Sequence, residues 1–144
     1  MIKSFEVDHT KLKAPTIRIA DIYTKNGVVI KKYDIRLLQP NTDTMEDAMV
    51  HSMEHLMATA FKEEFKDDMI DLSPMGCKTG FYCTMFESNN EVERIIQAME
   101  KSITAEIPIP TEKNCGSYKM HNIDKAREFI KIKVKEIRKK CLKK

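Results

Sequence analysis

The run Thr16-Ile17-Arg18-Ile19-Ala20-Asp21-Ile22-Tyr23-Thr24-Lys25-Asn26-Gly27-Val28-Val29-Ile30-Lys31-Lys32-Tyr33-Asp34-Ile35-Arg36-Leu37-Leu38 places two segments rich in Ile, Val and Tyr on either side of an Asn-Gly dipeptide. β-Branched and aromatic residues favour strands, and Asn-Gly is the pair best suited to a two-residue hairpin turn. The stretch predicts a β-hairpin in which Thr16 to Tyr23 pairs with Val28 to Leu38, so at least one strand pair is antiparallel.

Beyond the hairpin, the polar cluster Thr42-Asp43-Thr44 offers helix caps, with Glu46 in capping-box spacing from Asp43. Met45, Met49, Met53, Leu56, Met57, Ala60 and Phe61 then recur every three or four residues, the period of an amphipathic helix running to about Phe65. Met69 to Ser73 and Phe81 to Phe86 read as strands around the loop Pro74 to Gly80. A second helix, capped by Asn89 or Asn90, is expected through about Ala105, packed on the sheet through Val92, Ile95, Ile96 and Met99. Cys115-Gly116 falls in a loop, and Asn122 caps a final helix from Ile123 to near Lys140. The expected fold is α+β: a mixed, mainly antiparallel sheet with helices packed on one face, a two-layer sandwich in one domain over residues 1–144.

With 42% hydrophobic and 33% charged residues, the composition is that of a soluble protein, and no apolar run approaches a membrane span. The N-terminus lacks the apolar block of a secretion signal, so a cytoplasmic location is expected. Four cysteines without a CxxC pair argue for free thiols. Positive charge is concentrated between Lys131 and Lys144, which hold eight Lys or Arg and one Glu. The remaining body is mildly acidic and has no Trp, which speaks against nucleic-acid binding. The basic end reads as a solvated helix terminus.

His51-Ser52-Met53-Glu54-His55 lies within the long helix. At about 100° per residue its two imidazoles fall roughly 40° apart on one face, where both can reach one metal, and Glu54 flanks them as a general base would. A third ligand must come from elsewhere. Cys115, beside Gly116, is one candidate and His121 the other. Cys77 sits in a turn between Gly76 and Gly80, next to Lys78, a setting that favours a reactive thiol over a buried one. Cys83 and Cys141 lack such a setting and are assigned no role.

Five segments in order resemble the LuxS family of S-ribosylhomocysteine lyases over nearly the whole chain: Ser4-Phe5-Glu6-Val7-Asp8-His9; Tyr33-Asp34-Ile35-Arg36 with Gln39-Pro40-Asn41; His51-Ser52-Met53-Glu54-His55-Leu56; Ile70 to Tyr82; and Cys115 to His121. The resemblance implies that His51, His55 and Cys115 hold Fe(II), one ion per subunit, which zinc or cobalt can replace. It implies that Glu54 and Cys77 transfer protons, and that Ser4, His9, Arg36 and Asp71 shape the substrate site. It further implies a homodimer with active sites at the subunit interface, and cleavage of S-ribosylhomocysteine to homocysteine and dihydroxypentanedione, the autoinducer-2 precursor. Lys62 and Lys78 depart from the family pattern, at positions where Arg, or Arg or Gln, is usual. A point charge in place of a fork alters contacts to substrate while leaving the reacting groups in place.

Two rivals stand beside this reading. An HxxEH metallopeptidase would use Glu54 on a water molecule and a distant Glu, such as Glu128, as third ligand. A metal-stapled binding module would need four protein ligands, where the spacing places only three well.

Overall fold

The computed structural model describes residues 2–142; of these, the side chains of Ser4 and Leu142 lie outside the description. The element order is α1 (Lys3–Glu6), β1 (Thr16–Lys25), β2 (Val28–Arg36), α2 (Asp47–Phe65), a 3-10 turn (Lys66–Asp68), β3 (Met69–Pro74), β4 (Gly80–Phe86), α3 (Glu91–Ser102) and α4 (Ile123–Leu142). The strands form one antiparallel sheet in the order β1-β2-β4-β3. Asn26 and Gly27 both take positive φ, 53° and 79°, as the tight turn between β1 and β2 demands.

Alternation along the strands sorts their two faces. Tyr33, Ile35, Phe81, Cys83 and Met85 are buried with Met53, Leu56, Met57 and Phe61 of α2, so the helical layer covers this face. Cys83 belongs to this core, and burial pushes its thiol up to about 12, which suits packing and not chemistry. The opposite face carries Arg18, Lys32, Asp34, Arg36, Asp71, Tyr82 and Thr84. Asp34, fully buried there, accepts from Arg36 Nε and Nη2 at 3.1 and 2.8 Å and pairs with Arg18 at 2.7 Å.

Three expectations change. The long helix begins at Asp47, with Glu46 in the cap position and no side-chain cap. The polar cluster before it closes on itself: Thr42 donates to the Gln39 carbonyl at 2.6 Å and the Thr44 N–H donates to Asp43 at 2.8 Å. The second helix, α3, packs chiefly on α2 and α4 and meets the sheet at its N-terminus, where Glu91 accepts from Lys31 at 2.8 Å and Tyr33 at 2.6 Å. Val92 is accordingly exposed. The basic end stays at the surface but is partly paired rather than only solvated: Arg138 bridges Glu93 and Glu100, and Lys140 donates to the Lys13 and Pro15 carbonyls. Asn122 does cap α4, accepting the Lys125 N–H at 3.2 Å.

At Gly80, opposite Arg36 in the ladder, an added Cβ would collide with the Ile35 carbonyl oxygen. The backbones cannot separate without breaking β2–β4 pairing at the strand end that positions Cys77. Gly80→Ala is expected to destabilise the protein by roughly 1–3 kcal/mol, measured by urea unfolding. An unchanged midpoint would contradict this packing.

Candidate metal centre and adjoining hollows

α2 carries His51 and His55 one turn apart, so helix geometry alone sets their imidazoles side by side with ring centroids 4.9 Å apart. The loop before α4 then brings Cys115 and His121 onto the same helical face. Cys115 Sγ lies 3.4 Å from His51 Nε2, 3.9 Å from His55 Nε2 and 3.7 Å from His121 Nε2. The four donor atoms lie within 4.8 Å of one another. Donors around a single ion with bonds of about 2.1–2.3 Å are spaced roughly 3.5 Å apart, and imidazole with thiolate suits Fe(II), Zn or Co. The group therefore fits one divalent ion. Both sequence candidates for the third ligand converge here, so four ligand-type residues meet where the spacing alone placed three. Glu128 is exposed on α4 and stands outside the cluster.

Burial, reinforced by the neighbouring His51, holds the His55 imidazole below the ordinary histidine value of 6.5, while Glu54 opposes the shift. Burial, with His51 and His55, lowers His121 as well. Neutral imidazoles are the form that binds metal. The sign for stability follows. With folded values below the unfolded 6.5, the unfolded chain takes up protons first as pH falls. Metal-free stability is thus intact above 6.5 and declines as pH drops through it. Differential scanning calorimetry of metal-free protein should show Tm falling from about pH 7 to pH 5; a Tm that rises over this window would contradict the environment of the two histidines.

Glu54 lines a hollow of about 380 Å³ together with His51, Met75, Gly76, Lys78 and Met120. Among the described residues its carboxylate has no hydrogen-bond or ion-pair partner, which leaves it available to a ligand. Cys77 opens on the other side of the same turn, into a hollow of about 420 Å³ with His9, Arg36, Asn41, Asp43 and Thr79. Alternate residues of one turn, 76 and 78 against 77 and 79, thus face the two hollows.

The cation beside Cys77 is not the one its sequence neighbourhood suggests. Lys78 takes positive φ, 60°, and its ammonium pairs with Asp47 in the first turn of α2, away from the thiol. Arg36 supplies the charge instead, with Nη1 3.9 Å from Cys77 Sγ. Arg36 Nη1 also donates to Thr79 Oγ1 at 3.0 Å, and that hydroxyl lies 3.0 Å from Cys77 Sγ. Thr79 is a site residue that motif reading passed over; its only local signal is a hydroxyl two positions after the cysteine. Arg36 is about 1% exposed, and the paired hydrogen bonds to Asp34 offset the burial that opposes its charge. The turn is held to the segment just before α2 by the Met45 N–H, which donates to the Lys78 carbonyl at 2.9 Å.

His9 lines the Cys77 hollow, its Nδ1 donating to the Val7 carbonyl at 3.0 Å. Asp71 is exposed on the far sheet face and lines neither hollow. Ser4 falls in α1, and its side chain is outside the described residues. Lys62 is exposed at the end of α2, where its ammonium donates to the Lys66 carbonyl at 3.0 Å. Among the described residues no helix is long and apolar enough to cross a membrane.

The sequence model described as S-Ribosylhomocysteinase (LuxS) matches residues 2–143. A Clostridium perfringens protein named S-ribosylhomocysteine lyase is 45% identical over 136 residues, covering 90% of this chain and 89% of the relative. Proteins of the same name from Enterococcus faecalis and Helicobacter pylori are 39% and 40% identical, covering 91% and 90% of this chain and 88% and 86% of their own lengths. A full-length match joined to a convergent histidine and cysteine cluster leaves one assignment: this chain belongs to the LuxS family of S-ribosylhomocysteinases.

Proposed function

We propose that this protein is a cytoplasmic, metal-dependent carbon–sulfur lyase that converts S-ribosylhomocysteine to homocysteine and dihydroxypentanedione, the precursor of autoinducer-2. The observation that carries the reading is the meeting of His51, His55 and Cys115 beside a hollow lined by Glu54. Those three residues are the proposed ligands of Fe(II), with zinc or cobalt able to substitute; the ion, when bound, polarises the sugar oxygens and acidifies the adjoining C–H bonds.

The chain's own groups then move protons. In this reading Glu54 and Cys77 take a proton from one ribose carbon and return one to its neighbour, so that the carbonyl migrates along the sugar. Once the carbonyl stands β to the thioether carbon, loss of an α proton expels homocysteine as the thiolate. Arg36 Nη1 and the Thr79 hydroxyl lie against the Cys77 sulfur at 3.9 and 3.0 Å and orient it toward the hollow. Arg36 and His9 face the substrate space beside it.

Ser4 and Asp71 reach the site in this reading from a second subunit. Exposed apolar groups on α1 and the outer sheet face, with Phe5 at 70% and Tyr23 at 49%, support a homodimer covering them. The peptidase alternative is disfavoured by the cluster, since Cys115 and not Glu128 joins the histidines. The test incubates anaerobically iron-loaded protein with S-ribosylhomocysteine and follows free thiol with a chromogenic reagent. Stoichiometric homocysteine release supports the reading, and no release from metal-loaded protein overturns it.

A further inference from the structure

An ion bound by His51, His55, Cys115 and His121 together would be closed at four protein donors, with no position for substrate. The hydrogen bonds behind two of these imidazoles separate their roles. His51 Nδ1 lies 2.7 Å from the Met120 carbonyl oxygen. A carbonyl only accepts, so His51 carries its hydrogen on Nδ1 and turns a bare Nε2 toward Cys115.

His121 is held in the opposite sense. Its Nδ1 lies 3.0 Å from Ser52 Oγ, and that fully buried hydroxyl already accepts the Asn122 N–H at 2.8 Å. The hydroxyl hydrogen needs an acceptor of its own, and among the described residues His121 Nδ1 is the one within reach. A lone pair on Nδ1 puts the imidazole hydrogen on Nε2, which faces Cys115 Sγ at 3.7 Å.

Ring orientation points the same way. His51 and His121 are stacked, centroids 3.9 Å apart and planes inclined by 26°. Imidazole lone pairs lie in the ring plane, so an ion in the plane of one stacked ring lies off the plane of the other. His55 stands nearly perpendicular to both rings, at 79° and 81°, and is compatible with either partner.

From these contacts we propose that His121 is a positioning residue that donates its Nε2–H to the Cys115 sulfur, while His51, His55 and Cys115 remain the only protein ligands and one position stays open. The inference rests on the metal reading above and extends it. Ser52 sets the tautomer, and the N–H···S contact orients Cys115 and draws negative charge from its sulfur.

The test uses full-length protein with 15N-labelled histidine, loaded with zinc and read by long-range 1H–15N correlation. The expected pattern is Nδ1–H with a zinc-shifted Nε2 for His51, and Nε2–H with a bare Nδ1 for His121. A zinc-shifted, hydrogen-free His121 Nε2 overturns this inference alone. Failure to bind zinc at all overturns the metal reading and this inference with it. In the cobalt-loaded protein, His121→Ala should move the sulfur-to-cobalt charge-transfer band to lower energy while the ligand-field bands hold, and His121→Gln, which keeps an N–H, should move it less. Cobalt affinity should fall by no more than about 10–100-fold, as for loss of a group that supports a ligand. Altered ligand-field bands, or a loss above about 100-fold, would make His121 a ligand and overturn the proposal.

Discussion

Replacing Cys115 with Ala is expected to strip the metal from the purified protein and to abolish homocysteine release from S-ribosylhomocysteine. Its sulfur is the one non-imidazole donor in the cluster, and it neutralises part of the ion's charge. Closed structural zinc sites bind with about 10–16 kcal/mol over four ligands, and on that scale one ligand is worth roughly 3–4 kcal/mol, or about 10²–10³ in affinity. Metal analysis after competition with a chelator measures the loss. Cys115 sits on a loop outside every helix and strand, so far-UV circular dichroism should remain native. The comparison with Glu128→Ala separates this reading from a peptidase: Glu128→Ala should keep its metal. A Cys115→Ala protein that keeps full metal would remove the thiolate from the site.

Glu54→Gln and Cys77→Ala are expected to behave differently, each keeping its metal and losing turnover. Neither residue belongs to the four-donor cluster: Glu54 lines the hollow that His51 shares, and Cys77 opens into a separate hollow across the turn. Gln preserves the volume and hydrogen-bonding reach of Glu54 but cannot take up a proton, so its loss isolates the acid–base role. General acid–base groups contribute about 10²–10⁴ in rate, and kcat should fall by that range in each variant. The readout pairs thiol release with metal content on the same sample. Normal turnover in either variant would refute the role given to that residue, whereas joint loss of metal and activity would point to a ligand.

Much of this site was legible in sequence because it is local. The spacing of His51, Glu54 and His55 on a helix sets their relative directions through 3.6 residues per turn, whatever packs around them. Asn26-Gly27 likewise demanded a hairpin, and the positive φ of both residues answers that demand. The helix start was less legible. Thr42, Asp43 and Thr44 are good capping residues, but their side chains found partners within their own turn, and α2 began later.

What could not be read locally concerns partners far apart in the chain. Lys78 follows Cys77 directly, yet its charge goes to Asp47, while Arg36, 41 residues away, reaches the thiol. The roles proposed for Cys115 and His121 rest on hydrogen bonds to Met120 and Ser52 that cross 69 residues. The sequence by itself determined the hairpin, the paired imidazoles with their carboxylate, and the family. Tertiary structure decided which cation attends Cys77, how many donor groups converge, and which nitrogen of each ring faces the sulfur. Backbone periodicity acts over a few residues, whereas a hydrogen bond between distant segments exists only after the sheet and helices have packed.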